Sequence, residues 1–166
     1  MSGPTPVDFP KPTSITGGCL CDALRYKVDF PSNHDFLNSS RSCQCTQCRR
    51  NTGTLFLVAH TIPLSGFTFS TPTESLKNFS ATLGFQRAFC GNCGSFMYWR
   101  DESCDDIALA VGTVDAEFLS KYGFALASMS GGNVWCQNEI KGVTDGMIGK
   151  ERGTKWAKNS EDGIRM

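Results

Sequence analysis

The stretch "SCQCTQCRRNTGT", residues 42–54, places three cysteines, Cys43, Cys45 and Cys48, in immediate succession before two arginines. Thiols at this spacing can form disulfides, hold a metal, make a redox pair or pack as core side chains. Three of them leave a tetrahedral metal one ligand short. Three protein ligands plus one exchangeable position is the pattern of a catalytic zinc. Three thiolates make such a centre formally negative and soft, so a small-molecule thiolate suits the open position. The alternative is that Cys104 or Cys136 supplies a fourth sulfur and the site is closed and structural. Spacing leaves both open.

A second group has a different character. "FCGNCGS" carries Cys90 and Cys93 in a Cys-x-x-Cys-Gly turn between two expected strands, the pattern of a zinc knuckle. "GGCLCD" offers Cys19 and Cys21, whose alternation on a strand would point both at one ion. A redox role for Cys90 and Cys93 would call for a βαβ setting, which the surrounding sequence lacks. The chain has nine cysteines, an odd number that fits a full disulfide framework poorly. Clustered cysteines of this kind belong to a reducing compartment, where metal binding or catalysis is their usual use.

The elements that must carry these groups read as β-structure. "ALRYKVDF" (23–30) alternates, with Leu24, Tyr26, Val28 and Phe30 on one face. "TLFLVAHTI", "GFTFST", "GFQRAFC", "SFMYWRD" and "DIALAVGTV" are further strand candidates, punctuated mainly by Gly, Pro, Ser and Asp. One short helix is expected over 115–123, with Asp115 as its cap and Gly123 as its stop. The expected organisation is a Pro-rich mobile lead-in (1–14), one domain (15–148) and a polar, loosely held tail (149–166) anchored by Trp156.

Composition narrows the partners. Lys plus Arg and Asp plus Glu both number 16, so the formal net charge is zero. That gives no basic field for nucleic acid. No apolar run approaches the ~20 residues of a membrane span, and the first residues carry no signal-peptide pattern. A cytoplasmic protein with a small-molecule partner is expected; the sequence gives no oligomeric state.

Single residues divide between chemistry and scaffold. Arg49 directly follows the three-cysteine cluster and could fork onto a substrate carboxylate, or be a surface charge. Arg87 is expected to pair with a carboxylate inside the fold. His34 and His60 read as surface or hydrogen-bonded residues, Cys136 as a buried thiol, and Phe96, Trp99 and Trp135 as core with a possible pocket wall among them.

Taken in order, "GGCLCDALRY", "CQCTQCRRNTG", "RAFCGNCGSFMYW" and "GTVD" resemble the family of glutathione-dependent formaldehyde-activating enzymes and centromere protein V. The resemblance runs from about Gly17 to Asp145, and "NVWCQNEIKGVTDG" looks like the ending of fungal-type members. It implies a mainly β, β-tent (Mss4-like) fold with short helical turns and two zinc ions per chain. Cys19, Cys21, Cys90 and Cys93 would hold the structural zinc, and Cys43, Cys45 and Cys48 the catalytic one. The implied activity is of carbon–sulfur lyase type on a glutathione-like thiol adduct or a carbonyl. A non-catalytic, zinc-scaffolded binding module is the alternative. Three departures from the family's pattern stand out: Asp22 where Gly is usual, and Gln44 and Asn133 where His is frequent. Neither Gln44 nor Asn133 can move a proton as histidine does.

Overall fold

The computed structural model describes residues 8–146, 153–160 and 164–165. Parts of the expected lead-in (1–7) and tail (149–152, 161–163 and 166) lie outside the described residues. In chain order the strands are β1 (Ser14–Gly18), β2 (Arg25–Asp29), β3 (Ser40–Cys43), β4 (Leu57–Pro63), β5 (Phe67–Phe69), β6 (Leu76–Thr82), β7 (Phe85–Cys90), β8 (Phe96–Asp101), β9 (Asp106–Ala110) and β10 (Gly132–Val134). Three helices interrupt them: α1 (Phe36–Ser39), α2 (Thr46–Thr52) and α3 (Ala116–Ala127). Strands β1-β2-β5 form a three-stranded sheet, and β10-β3-β4-β9-β8-β7-β6 a seven-stranded one. All pairs are antiparallel except β3 with β10. This is the mainly β, β-tent arrangement.

The core sits between the two sheets and α3. The alternation in β2 puts Tyr26 and Val28 inside, joined by Ile15, Ile62, Met97, Ile107, Leu109 and Leu126, all at most 1 % exposed. Fully burying each aliphatic side chain of this kind is worth about 1.5–3 kcal/mol. The same burial explains why α3 outruns its expected end. Gly123 lies inside the helix because Leu119, Tyr122, Ala125 and Leu126 pack on the core along one face, and that packing outweighs the ~1 kcal/mol helix penalty of glycine. Asp115 occupies the N-cap position, yet its carboxylate makes no cap bond. It accepts instead from Thr16 Oγ1 and Arg25 Nη2, both at 2.5 Å, tying α3 to the three-stranded sheet.

The described parts of the two segments expected to be loose make contacts with the domain. Phe9 is 5 % exposed and packs on Phe124 with ring centroids 5.1 Å apart. In the tail, the Trp156 amide donates to Asn133 O, Cys136 N donates to Trp156 O, and Lys155 pairs with Glu139 at 2.6 Å. Main-chain pairing beside β10, which side-chain polarity does not reveal, holds this segment. Strands β3 and β10 are polar for a related reason. Ser42 Oγ donates to Asn133 Oδ1 at 2.6 Å, and Ser40 Oγ accepts from Met129 N at 2.8 Å. At the entry to β10, a Cβ on Gly131 would lie 2.0 Å from Asn38 O, so only glycine fits there.

His34 and His60 meet Nε2 to Nε2 at 2.9 Å within a group that includes Phe30 and Phe36. His60 Nδ1 lies 3.2 Å from Leu126 O, which can only accept. His60 therefore donates from Nδ1 and accepts at Nε2 from the His34 N–H. Burial, with His34 alongside, pushes His60 down to about 3, and burial also lowers His34. The unfolded chain thus binds protons more readily than the folded one below about pH 6.5. Stability from the neutral pair is present above that pH and is lost as pH falls toward about 3. Urea unfolding at pH 7.5, 6.5 and 5.5 should show wild type losing stability faster than His60→Gln, by at most ~1.4 kcal/mol per pH unit. Parallel losses in the two proteins would remove the pair as the cause.

Candidate metal centres and the cleft between them

Cys19, Cys21, Cys90 and Cys93 converge with all four sulfurs within 4.8 Å of one another. The Cys19 and Cys21 sulfurs are 3.6 Å apart, and those of Cys21 and Cys90 are 3.8 Å apart. A tetrahedral metal with ~2.3 Å bonds to sulfur sets its ligands about 3.8 Å apart, so the donor set fits. Cys19 and Cys21 are not on a strand as expected. β1 ends at Gly18, and they lie in the tight turn that follows, where Cys19 N donates to Leu24 O and Leu24 N to Cys19 Sγ. That turn needs a left-handed residue at Asp22, φ 57°. The position is one that glycine adopts freely and Asp tolerates, which accounts for the departure at Asp22. On the other side, Gly94 at φ 77° donates to Cys90 O and folds the backbone beneath the sulfurs. Ser95 hydrogen-bonds the Cys93 sulfur and pulls that thiol down to about 6.

Cys43, Cys45 and Cys48 form the second group, again within 4.8 Å of one another. They do not share a plain loop. Cys43 ends β3, Cys45 caps α2 and Cys48 lies in its first turn, with Cys48 N donating to Cys45 Sγ at 3.3 Å. Hydrogen bonds from Cys43 and Cys48 hold the Cys45 thiol well below its ordinary range, and Cys43 is pushed up as their donor. Among the described residues no histidine, carboxylate or further cysteine joins the group. Cys136 is buried and donates to Asn133 O at 3.3 Å, and Cys104 is exposed on the turn between β8 and β9. The structure brings neither to the cluster.

Two buried donors beside this group lack a partner, Gln44 Nε2 and Arg87 Nη1. A metal bound by thiolates would present acceptor sulfurs and negative charge here, so the surroundings suit a metal as well as the thiols do. Arg49, expected either to fork onto a substrate carboxylate or to be a surface charge, is engaged within the fold. Its Nε donates to Leu55 O at 2.7 Å, and its Nη2 to Asn138 O at 2.7 Å and Gln44 Oε1 at 3.1 Å. Arg87 corrects the opposite expectation. Among the described residues no carboxylate pairs with it, and its Nη2 donates to Gln47 Oε1.

A cleft of about 490 Å³ opens beside Cys93 of the four-thiol group, lined also by Thr54, Leu57, Phe96, Ala110 and Thr113 among others; none of Cys43, Cys45 and Cys48 lines it. Leu57, Phe96 and Ala110 belong to the apolar patch that also holds Cys48. Of Phe96, Trp99 and Trp135, Phe96 is the one that lines the cleft, together with Phe56. Trp99 stacks on Phe85 at 5.4 Å instead, and Trp135 lies at the end of β10, at a positive φ of 62°. Sequence reasoning named Phe96 as a possible pocket wall but missed Gln47, Leu57 and Ala110, which have no distinctive pattern until β4, β7, β9 and α2 are brought together.

Among the described residues, no helix is long and apolar enough to cross a membrane. The chain is 27% identical over 92 residues to a provisionally named glutathione-dependent formaldehyde-activating enzyme of Emericella nidulans, covering 55% of this chain and 46% of that protein. Provisionally named counterparts of Aspergillus flavus and Aspergillus oryzae are each 25% identical over 113 residues, 68% of this chain and 57% of theirs. The chain therefore spans about half the length of these curated relatives. A crystal structure of a Rhodobacter sphaeroides protein shares the fold, with a TM-score of 0.51 at 23% identity over 61% of this chain and 89% of that one. The pattern of the family described as glutathione-dependent formaldehyde-activating enzyme matches residues 14–137. That match takes in both cysteine groups and most of the chain, and the protein belongs to this family.

Proposed function

We propose that the chain is a two-zinc enzyme of carbon–sulfur lyase type. It acts on a small thiol such as glutathione and on that thiol's carbonyl adducts, in a reducing, cytoplasmic setting. The observation that carries this reading is the group of Cys43, Cys45 and Cys48, three thiols with no fourth ligand beside them among the described residues; Cys48 packs on the apolar patch whose Leu57 and Ala110 also line the cleft. Cys19, Cys21, Cys90 and Cys93 form the structural centre. Zinc on the three-thiol group would supply an open coordination position, able to hold a substrate sulfur as thiolate or to polarise a carbonyl oxygen.

The chain's own residues do the rest. Cys45 and Cys48, on the first turn of α2, fix two sulfurs rigidly, and Cys43 brings the third from β3. Leu57 and Phe96 give the cleft an apolar wall. Gln44, buried between Cys43 and Cys45 in sequence, accepts from Arg49 and supports the start of α2. In the adduct-forming direction the substrate sulfur bonds to the carbonyl carbon, and the C=O π pair moves to oxygen, which takes up the proton that the thiol gave up. The reverse breaks the C–S bond. Gln44 and Asn133 do not titrate at neutral pH, so the proton exchanges with water in the cleft.

Metal analysis of chain purified without chelator should give about two zinc per chain. Cys90→Ser should abolish stable folding, because structural zinc contributes directly to it. Cys48→Ser should fold with one zinc and lack activity. Equal destabilisation by both substitutions would make the central group structural and the protein a zinc-built scaffold.

With cobalt in place of zinc, glutathione should change the thiolate charge-transfer bands, and S-methyl glutathione, which has no ionisable thiol, should not. The response should strengthen as pH rises toward the thiol's ordinary range of about 8.5, since only the thiolate is a strong ligand. A spectrum indifferent to every thiol tried would count against an open position.

A further inference from the structure

Arg87 lies on β7 with 6 % of its surface exposed. Its Nη2 is bound to Gln47, the residue immediately before Cys48, and its Nη1 has no partner. Across the sheet it is in register with Trp99, which pairs with Ala108; Ala108 and Cys48 both pack on the patch of Leu57, Ala59 and Ala110, and Leu57 is in register with Cys43. The guanidinium thus shares a sheet face with the three-thiol group, close enough for its charge to act on Cys48. Burying a cation without an anion is costly, and arginine cannot relieve the cost by losing a proton. Asp and Glu are absent as partners among the described residues. A divalent metal with three thiolates would carry a single negative charge and meet part of that need. It leaves the planar fork of the guanidinium, which matches an oxyanion, with an open N–H.

We propose that Arg87 recognises the substrate of the open centre, its Nη1 donating to a carboxylate carried by the thiol, so that the substrate class is a small anionic thiol rather than a neutral one. This inference rests on the proposed open site. It gives the carboxylate contact to Arg87 in place of Arg49, whose guanidinium the fold already engages. Gln47 is the positioning residue, its Oε1 holding Nη2 and leaving Nη1 as the unpartnered donor.

The test titrates the cobalt-loaded full chain with 3-mercaptopropionate and with 3-mercaptopropionamide, a pair of nearly equal size that differ in charge. Wild type should bind the carboxylate roughly tenfold to a hundredfold more tightly, the range of a charge-assisted hydrogen bond. Arg87→Met should lose that preference while keeping the amide's affinity and the metal content. Arg87→Gln, which keeps a donor for Gln47's neighbourhood but no charge, should lose it too, and Arg87→Lys should keep part of it. A preference that survives in Arg87→Met and Arg87→Gln overturns the proposal. So does an equal loss of both thiols, or a loss of metal, which would make Arg87 the counter-ion of the metal centre alone. Wild type that responds to neither thiol overturns the open-site reading itself. Wild type that responds equally to both overturns only the role of Arg87.

Discussion

Four sulfur atoms from opposite ends of the fold have to share one small volume, and most of the remaining geometry depends on that. Cys19 and Cys21 leave the three-stranded sheet, and Cys90 and Cys93 join β7 to β8 in the seven-stranded sheet. The sulfurs of Cys21 and Cys90 are 3.8 Å apart although 69 residues separate them in sequence. Ionised thiols at such distances repel one another unless a cation lies among them. A metal there closes a long loop and fixes the angle between the sheets. It also sets the functional wall, because Arg87 precedes Cys90 on β7 and Phe96 follows Cys93 at the start of β8.

The two arginines near the central group divide in a way that charge alone does not foretell. Arg49 is adjacent in sequence to the cysteines, yet carbonyls of Leu55 and Asn138 hold it against the loop after α2. Neutral acceptors leave its charge formally uncompensated but partly solvated, so its main effect is to pin that loop and the chain after β10. Arg87 is distant in sequence, buried, and short of an acceptor. An unmet buried donor is among the most costly local features a fold retains. It is therefore the stronger sign of a ligand.

How much was legible in the sequence follows from the same distinction between local and distant order. Both cysteine groups could be read because ligand spacing is a local property, and β2, β7, β8 and β9 because apolar alternation is local too. Strands β3 and β10 were not, since Ser40, Ser42 and Asn133 are buried through hydrogen bonds rather than apolar contact. β6 was missed because it is an exposed edge strand with little apolar pattern. The end of α3 was misplaced because core packing outweighs Gly123. The turn carrying Cys19 and Cys21 was taken for strand because alternation and a tight turn can both aim two side chains at one point. The partners of Arg49, Arg87 and Asp115 lay beyond any local pattern, since each is supplied by another part of the chain.

The central group differs from the four-thiol centre in where its ligands come from. Cys43, Cys45 and Cys48 all belong to the continuous β3–α2 segment, so their mutual geometry is set locally by the Cys45 cap on α2. What faces them comes from elsewhere: Leu57 from β4, Arg87 from β7, Phe96 from β8 and Ala108 from β9. A metal-binding segment of this kind can stay constant while the opposing wall changes. Asn133, at one of the two positions where the resemblance led to an expectation of histidine, braces β10 against β3 through Ser42. Gln44, at the other, braces α2 through Arg49. Both are buried in the support of the cluster and neither lines the cleft, whose apolar wall comes from Leu57 and Phe96 instead.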